Sequence, residues 1–135
     1  MSNWTHVAGI IRVDGLRVDD LENITGGTPD FDELIGKEVL FDSPSELWDE
    51  SDKHPERFLP RGSDGSLQKT VWKNPDEASV ATYTVSIFGD LRDHDDPHEI
   101  TQWFRKICDK FWVRNAVITA NNTVYGSVTY SYESD

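Results

Sequence analysis

Residues 79–120, SVATYTVSIFGDLRDHDDPHEITQWFRKICDKFWVRNAVITA, decide the fold, because the spacing of apolar residues within them changes twice. From 79 to 88 the residues alternate. Ala81, Tyr83, Val85 and Ile87 fall on one face and Thr82, Thr84 and Ser86 on the other, the mark of a strand with one side buried. From 97 to 111 the spacing turns helical, and Ile100, Trp103, Phe104, Ile107, Cys108 and Phe111 make a single apolar stripe. Asp96 is placed to cap this helix, Pro97 suits its first position, and Glu99 stands where a capping-box acid belongs. Arg105, Lys106 and Lys110 suit the negative end of its dipole. A strand-like run follows at Val113 to Ala120, and Asn121-Asn122 reads as a hairpin turn into a last strand, Thr123 to Tyr132.

Working towards the N-terminus, WTHVAGIIRV at 4–13 reads as a strand, weakened by Gly9. A fainter helical stretch within 18–35 is broken by Gly26-Gly27 and Pro29, and Lys37 to Phe41 reads as a short strand. Two strand–helix–strand halves in one sheet predict an α+β fold: a ferredoxin-like (split βαβ) sandwich with an extra C-terminal strand. A different open α/β sandwich is the competing arrangement. Residues 42–79 fit least well and read as a long irregular insertion. It holds a helical turn at Ser45 to Glu50, and Phe58-Leu59 pairs with Leu67 to Trp72 as a hairpin across Arg61 to Ser66.

At 135 residues, 36% of them hydrophobic, the chain predicts a single domain, 1–135, with one core. No apolar run approaches the length of a membrane span, and the first residues lack the pattern of a secretion signal. One cysteine, Cys108, excludes an internal disulfide. These features predict a cytoplasmic protein, and the glycosylation-type triplets at Asn3, Asn23 and Asn121 are then chance matches.

The net charge of −12 is unevenly distributed: residues 14–52 hold thirteen acids against Arg17 and Lys37. Such a field repels nucleic acid and anionic membranes and attracts basic surfaces. The candidate partner-binding set is therefore Asp19, Asp20, Glu22, Asp30, Asp32, Glu33, Trp48, Asp49 and Glu50, with Trp48 as an apolar anchor among acids. The only locally basic stretch contains Arg57, Arg61, Lys69 and Lys73, an alternative site for an anion or nucleotide. Its Pro60 to Ser66 loop lacks the Gly-Lys-Ser/Thr ending of a phosphate-binding loop.

Catalytic signals are weak. Gly89 to Glu99 collects five carboxylates and two imidazoles, yet its spacing matches neither an EF-hand nor a zinc hydrolase. Acids at a helix start already explain it. Cys108 lies on the apolar helix stripe, where a thiol is packing. His6 falls within a strand as a satisfied core or edge residue, and His54 in a charged loop. No cofactor and no metal site is expected.

The run Ser66-Leu67-Gln68-Lys69-Thr70-Val71-Trp72-Lys73-Asn74-Pro75-Asp76, followed by Tyr83 to Arg92 and the helix, resembles small acidic accessory proteins of bacteriophages and integrated elements. The resemblance covers the C-terminal half. It implies a non-enzymatic binding protein in the host cytoplasm, an inhibitor of a nucleic-acid-binding host defence complex being its most concrete form. Small-ligand or nucleotide binding, by a chain that is dimeric in one version, is the alternative.

Overall fold

The computed structural model describes residues 3–16, 24–25, 28–73, 83–94 and 96–132. Its centre is the first strand, β1 (Trp4–Leu16), in which Thr5, Val7, Ile11 and Val13 are buried and His6, Ala8 and Ile10 are exposed. On one side β1 pairs antiparallel with β5 (Tyr83–Arg92), and on the other with β6 (Phe111–Asn122). The helix α3 (Pro97–Cys108) connects these two flanking strands. β4 (Gln68–Lys73) joins the outer edge of β5 and β7 (Gly126–Tyr132) that of β6. The result is an antiparallel five-stranded sheet in the order β4-β5-β1-β6-β7. Two residue pairs, β2 (Ile24–Thr25) and β3 (Thr28–Pro29), form a separate small ladder.

One face of the sheet is covered. Ile100, Phe104, Ile107 and Cys108 of α3 pack with Val7, Ile11, Val85, Ile87, Leu91, Val113 and Ile118 of the strands. The short helix α1 (Phe31–Leu34) adds Phe31, whose ring meets Tyr83 edge-on and stacks on Phe111. Burying these side chains contributes about 1.5–3 kcal/mol each, which makes this layer the main source of stability. Among the described residues the opposite face has no helix on it.

α3 begins as its sequence predicts: the Asp96 carboxylate accepts a hydrogen bond from the His98 N–H at 2.9 Å. It stops at Cys108, and Phe111 opens β6 instead. Helical and alternating spacing both bury Phe111, so periodicity alone does not place that boundary. Of the helical stretch expected within 18–35, the described residues show α1, with Asp30 as its cap; residues 17–23 and 26–27 lie outside the described residues. Gly36, at φ +133, ends it; a Cβ there would approach Leu59 N to 2.8 Å.

Lys37 to Phe41 is not a strand. It makes one parallel bridge, Lys37 with Phe58, and is held further by Val39 and Ser66. The expected pairing of 58–59 with 67–72 is likewise replaced. Only Arg61 and Ser66 bridge, and Gln68 to Lys73 instead pairs with β5 as an edge strand of the main sheet. Residues 42–73 are therefore ordered elements rather than an irregular insertion, with α2 (Ser45–Lys53) and a 3-10 turn (Pro55–Arg57) between the loop and β4. Residues 74–82 lie outside the described residues.

β5 continues to Arg92, four residues past the expected end. Asp90 and Arg92 gave that segment the look of a loop, but both are exposed, and the residue between them, Leu91, is fully buried. No helix among the described residues is long and apolar enough to cross a membrane.

Candidate functional site

The acidic and basic stretches of the sequence are folded onto each other. Lys69 lies opposite Ile87 in the β4–β5 register, so its side chain points to the covered face. There it is only 7% exposed, with Nζ 2.5 Å from Asp32 Oδ1, 3.7 Å from Glu38 Oε1 and 2.9 Å from the Gly36 carbonyl. Arg61 donates to Ser51 Oγ at 2.8 Å, pairs with Asp52, and lies 4.9 Å over the Trp48 ring. Arg57 stands 4.0 Å from Glu50. Of the four cations expected to hold an anion, Lys73 alone has no carboxylate partner among the described residues, and it is exposed at the sheet edge. Four cations selected for proximity in sequence thus do not converge: Lys69 is held at α1, Arg57 and Arg61 at α2, and Lys73 stays at the sheet edge.

The expected partner-binding acids divide similarly. Asp19, Asp20 and Glu22 lie outside the described residues. Asp30 caps α1, Asp32 holds Lys69, and Glu50 is half-buried near Arg57. Trp48 is half-buried beneath the Arg61 guanidinium rather than presented to solvent. Glu33 and Asp49 remain exposed.

Two further acids join Asp49. Glu46 occupies the exposed side of α2 one turn before it, and Asp42 lies in the turn leading into that helix. None of the three has an ion-pair partner among the described residues. That same turn, closed by Leu40 N–H to Ser43 Oγ at 2.8 Å and Ser43 N–H to the Leu40 carbonyl at 3.0 Å, presents Phe41, 80% exposed. The sequence signal for Phe41 was an aromatic directly before Asp-Ser-Pro, a turn-forming run that carries a side chain outward.

The polar run 89–99 is distributed over several surfaces. Asp90 points away from the helix layer, and its Oδ1 accepts a hydrogen bond from His6 Nδ1 at 2.6 Å. Asp93, in the left-handed region at φ 60, accepts from the Asn3 N–H and Ser63 hydroxyl. Asp96 is the helix cap, and His94 Nε2 sits 3.5 Å from Glu99. Asp95 lies outside the described residues. Among the described residues no group of three or more His, Cys, Asp or Glu is arranged to hold a metal ion. Gly62 explains the neighbouring loop without a phosphate: a Cβ there would come within 2.7 Å of Arg92 N, so glycine lets the loop lie against the end of β5.

Cys108 is buried, and burial, aided by the charge of Asp109, pushes its thiol up to about 12. Near neutral pH it carries no thiolate and is no nucleophile. His6 is neither in the core nor on an edge strand. It stands half-exposed on the central strand, on the face without a helix.

No protein-family model, no curated protein and no solved structure matches this chain.

Proposed function

We propose that the chain is a non-enzymatic protein-binding module whose acidic surface at α2 docks on a basic partner. The observation that carries this reading is the exposed set Asp42, Glu46 and Asp49 beside Phe41, with no cation paired to these acids among the described residues. Elsewhere in this region the chain neutralises its own acids, at Asp32, Asp52 and Glu50. Unpaired acids around an exposed aromatic combine long-range attraction with an apolar anchor. The resemblance to phage accessory proteins, together with the charge, favours a host nucleic-acid-binding defence protein as the partner and inhibition as the outcome.

For the architecture we read a ferredoxin-like arrangement. The supporting feature is that β5 and β6, joined through α3, lie on either side of β1, with β4 outside β5. β7 is then the extra C-terminal strand, and α1, α2 and the 3-10 turn stand where that arrangement has its first long helix. The nucleotide-binding alternative has less support, since Arg57, Arg61 and Lys69 already face carboxylates.

The test is capture of host proteins by the wild-type chain and by the triple variant Asp42→Asn/Glu46→Gln/Asp49→Asn, each at low and high salt. A basic nucleic-acid-handling protein retained by wild type at low salt, and lost both at high salt and with the variant, is the expected result. A partner that survives both changes would overturn the acidic-surface reading.

A further inference from the structure

The sheet face opposite α3 has its own chemistry. Pairing registers place its side chains in four levels across β5, β1 and β6: Asp90–His6–Asn121, Phe88–Ala8–Thr119, Ser86–Ile10–Val117 and Thr84–Arg12–Asn115. The two middle levels carry no charge on a chain of net charge −12. They expose Ile10, Phe88 and Val117 at 47, 41 and 43% around a shallow hollow of about 310 Å³ floored by Ala8 and Gly9. The two outer levels carry opposite charge: Asp90 at one end, Arg12 at the other. Arg12 has no hydrogen-bond or ion-pair partner among the described residues, and Asp90 Oδ2 is likewise free while Oδ1 holds His6.

We propose that this face binds a second copy of the chain, face to face, about a two-fold axis that crosses the strands at Gly9. Such an axis keeps each strand over its own copy and exchanges the levels. Ile10 then lies over the partner copy's Ala8, Phe88 over its Ser86 and Val117 over its Thr119, so each large side chain meets a smaller one. The outer levels exchange as well, and each Arg12 comes over the His6–Asp90 pair of the other copy. Both apolar size and charge are thereby self-complementary, as an isologous contact requires. Five strands about 4.8 Å apart, and levels spanning seven residues at about 3.4 Å, give a face of about 600 Å², within the range of about 600–1,000 Å² per partner of stable interfaces. A basic partner, in contrast, finds no concentration of negative charge here. None of Phe41, Asp42, Glu46 or Asp49 lies on this face, so the dimer leaves the proposed acidic surface free, and the two readings can fail separately.

The experiment is sedimentation equilibrium of the full chain at concentrations well above micromolar, with circular dichroism to verify folding of each variant. Wild type is expected to be a dimer. Val117→Glu, a substitution at an exposed position, is expected to be a folded monomer. Arg12→Asp and Asp90→Arg should each weaken dimerisation about tenfold or more, by setting like charges opposite one another twice, and the exchange variant Arg12→Asp/Asp90→Arg should recover most of the loss. A monomeric wild type overturns the proposal, as does a dimer indifferent to Val117→Glu. Failure of the exchange variant to recover, with both single variants folded and weakened, overturns the two-fold arrangement.

Discussion

The side-chain amide of Asn122 joins three parts of the chain that are far apart in sequence. Its Nδ2 donates to Thr5 Oγ1 at 2.9 Å and to the His94 carbonyl at 3.1 Å, while Oδ1 accepts from the N–H groups of Val124 and Tyr125 at 2.8 Å each. Thr5 Oγ1 also donates to the same His94 carbonyl. The amide thus ties β1 to the approach to α3 and closes the turn into β7. Asn121, one residue earlier, is exposed and stands opposite Ser127 in the β6–β7 ladder. The two asparagines are alike as turn formers, and the sequence makes them a pair. In the fold both belong to β6, the turn moves to Thr123 to Tyr125, and Gly126 takes the positive φ of 93. Alternation separates them: one points inward to four polar groups, the other outward to water. Asn122→Ala should therefore cost about 3 kcal/mol, since it removes four hydrogen bonds worth about 0.5–1.5 kcal/mol each. Asn121→Ala should stay within about 0.5 kcal/mol. Urea denaturation of the two variants checks this, and equal midpoints would refute it.

Among the elements, those whose signal lies in their own residues were legible: β1, the body of β5, α3 and the run of β6 from Val113 to Ala120, even though β6 breaks its alternation between Val113 and Ala116. Where an element is placed by contacts remote in sequence, the strand was legible but its partner was not: Leu67 to Trp72 reads as pairing with Phe58-Leu59 and instead pairs, as β4, with β5. β4 is an edge strand whose side chains are nearly all exposed, so it has little periodic signal, and its partner β5 is reached only across residues 74–82. Lys69 shows what is hidden there. A lysine between Gln68 and Thr70 reads as surface charge, but its position on the covered face turns it into the anchor of the chain around α1, through Asp32, Glu38 and the Gly36 carbonyl. The stem packs while the ammonium is satisfied by oxygens. Lys69→Ala should destabilise by about 2 kcal/mol, the scale of hydrogen bonds to charged groups, whereas Lys73→Ala should change stability by no more than about 0.5 kcal/mol. Thermal unfolding of both variants decides it, and a Lys69→Ala protein as stable as wild type would show that the anchor is not needed. The candidate site was half legible for the same reason. Composition located the acidic stretch, yet which acids are spent internally depends on where Arg57, Arg61 and Lys69 arrive in three dimensions.

Over the whole molecule the described ion pairs place Arg57, Arg61, Lys69, Arg92 and Arg114 against carboxylates. With 25 acids and 13 cations in the chain, a large excess of negative charge is left with no cation to face. Like charges held at domain dimensions repel, and the folded state bears that repulsion more than the expanded chain does. Raising salt from about 10 mM to about 150 mM shortens the screening length from about 30 Å to about 8 Å. Repulsion across the surface is thereby removed, while partly buried pairs such as Lys69–Asp32 are screened less. The melting temperature should therefore rise with NaCl over that interval. Asp42→Asn/Glu46→Gln/Asp49→Asn should raise it at low salt and flatten its salt dependence, because it removes three charges with no compensating pair among the described residues. The same substitutions are expected to abolish capture of a basic partner, which would make the acidic surface a case of stability given up for binding. Differential scanning calorimetry at the two salt concentrations tests the first half of this argument independently of any partner. A melting temperature that falls on screening would mean that attractive pairs dominate the field, and the acids of α2 would then need an explanation other than an unmet partner.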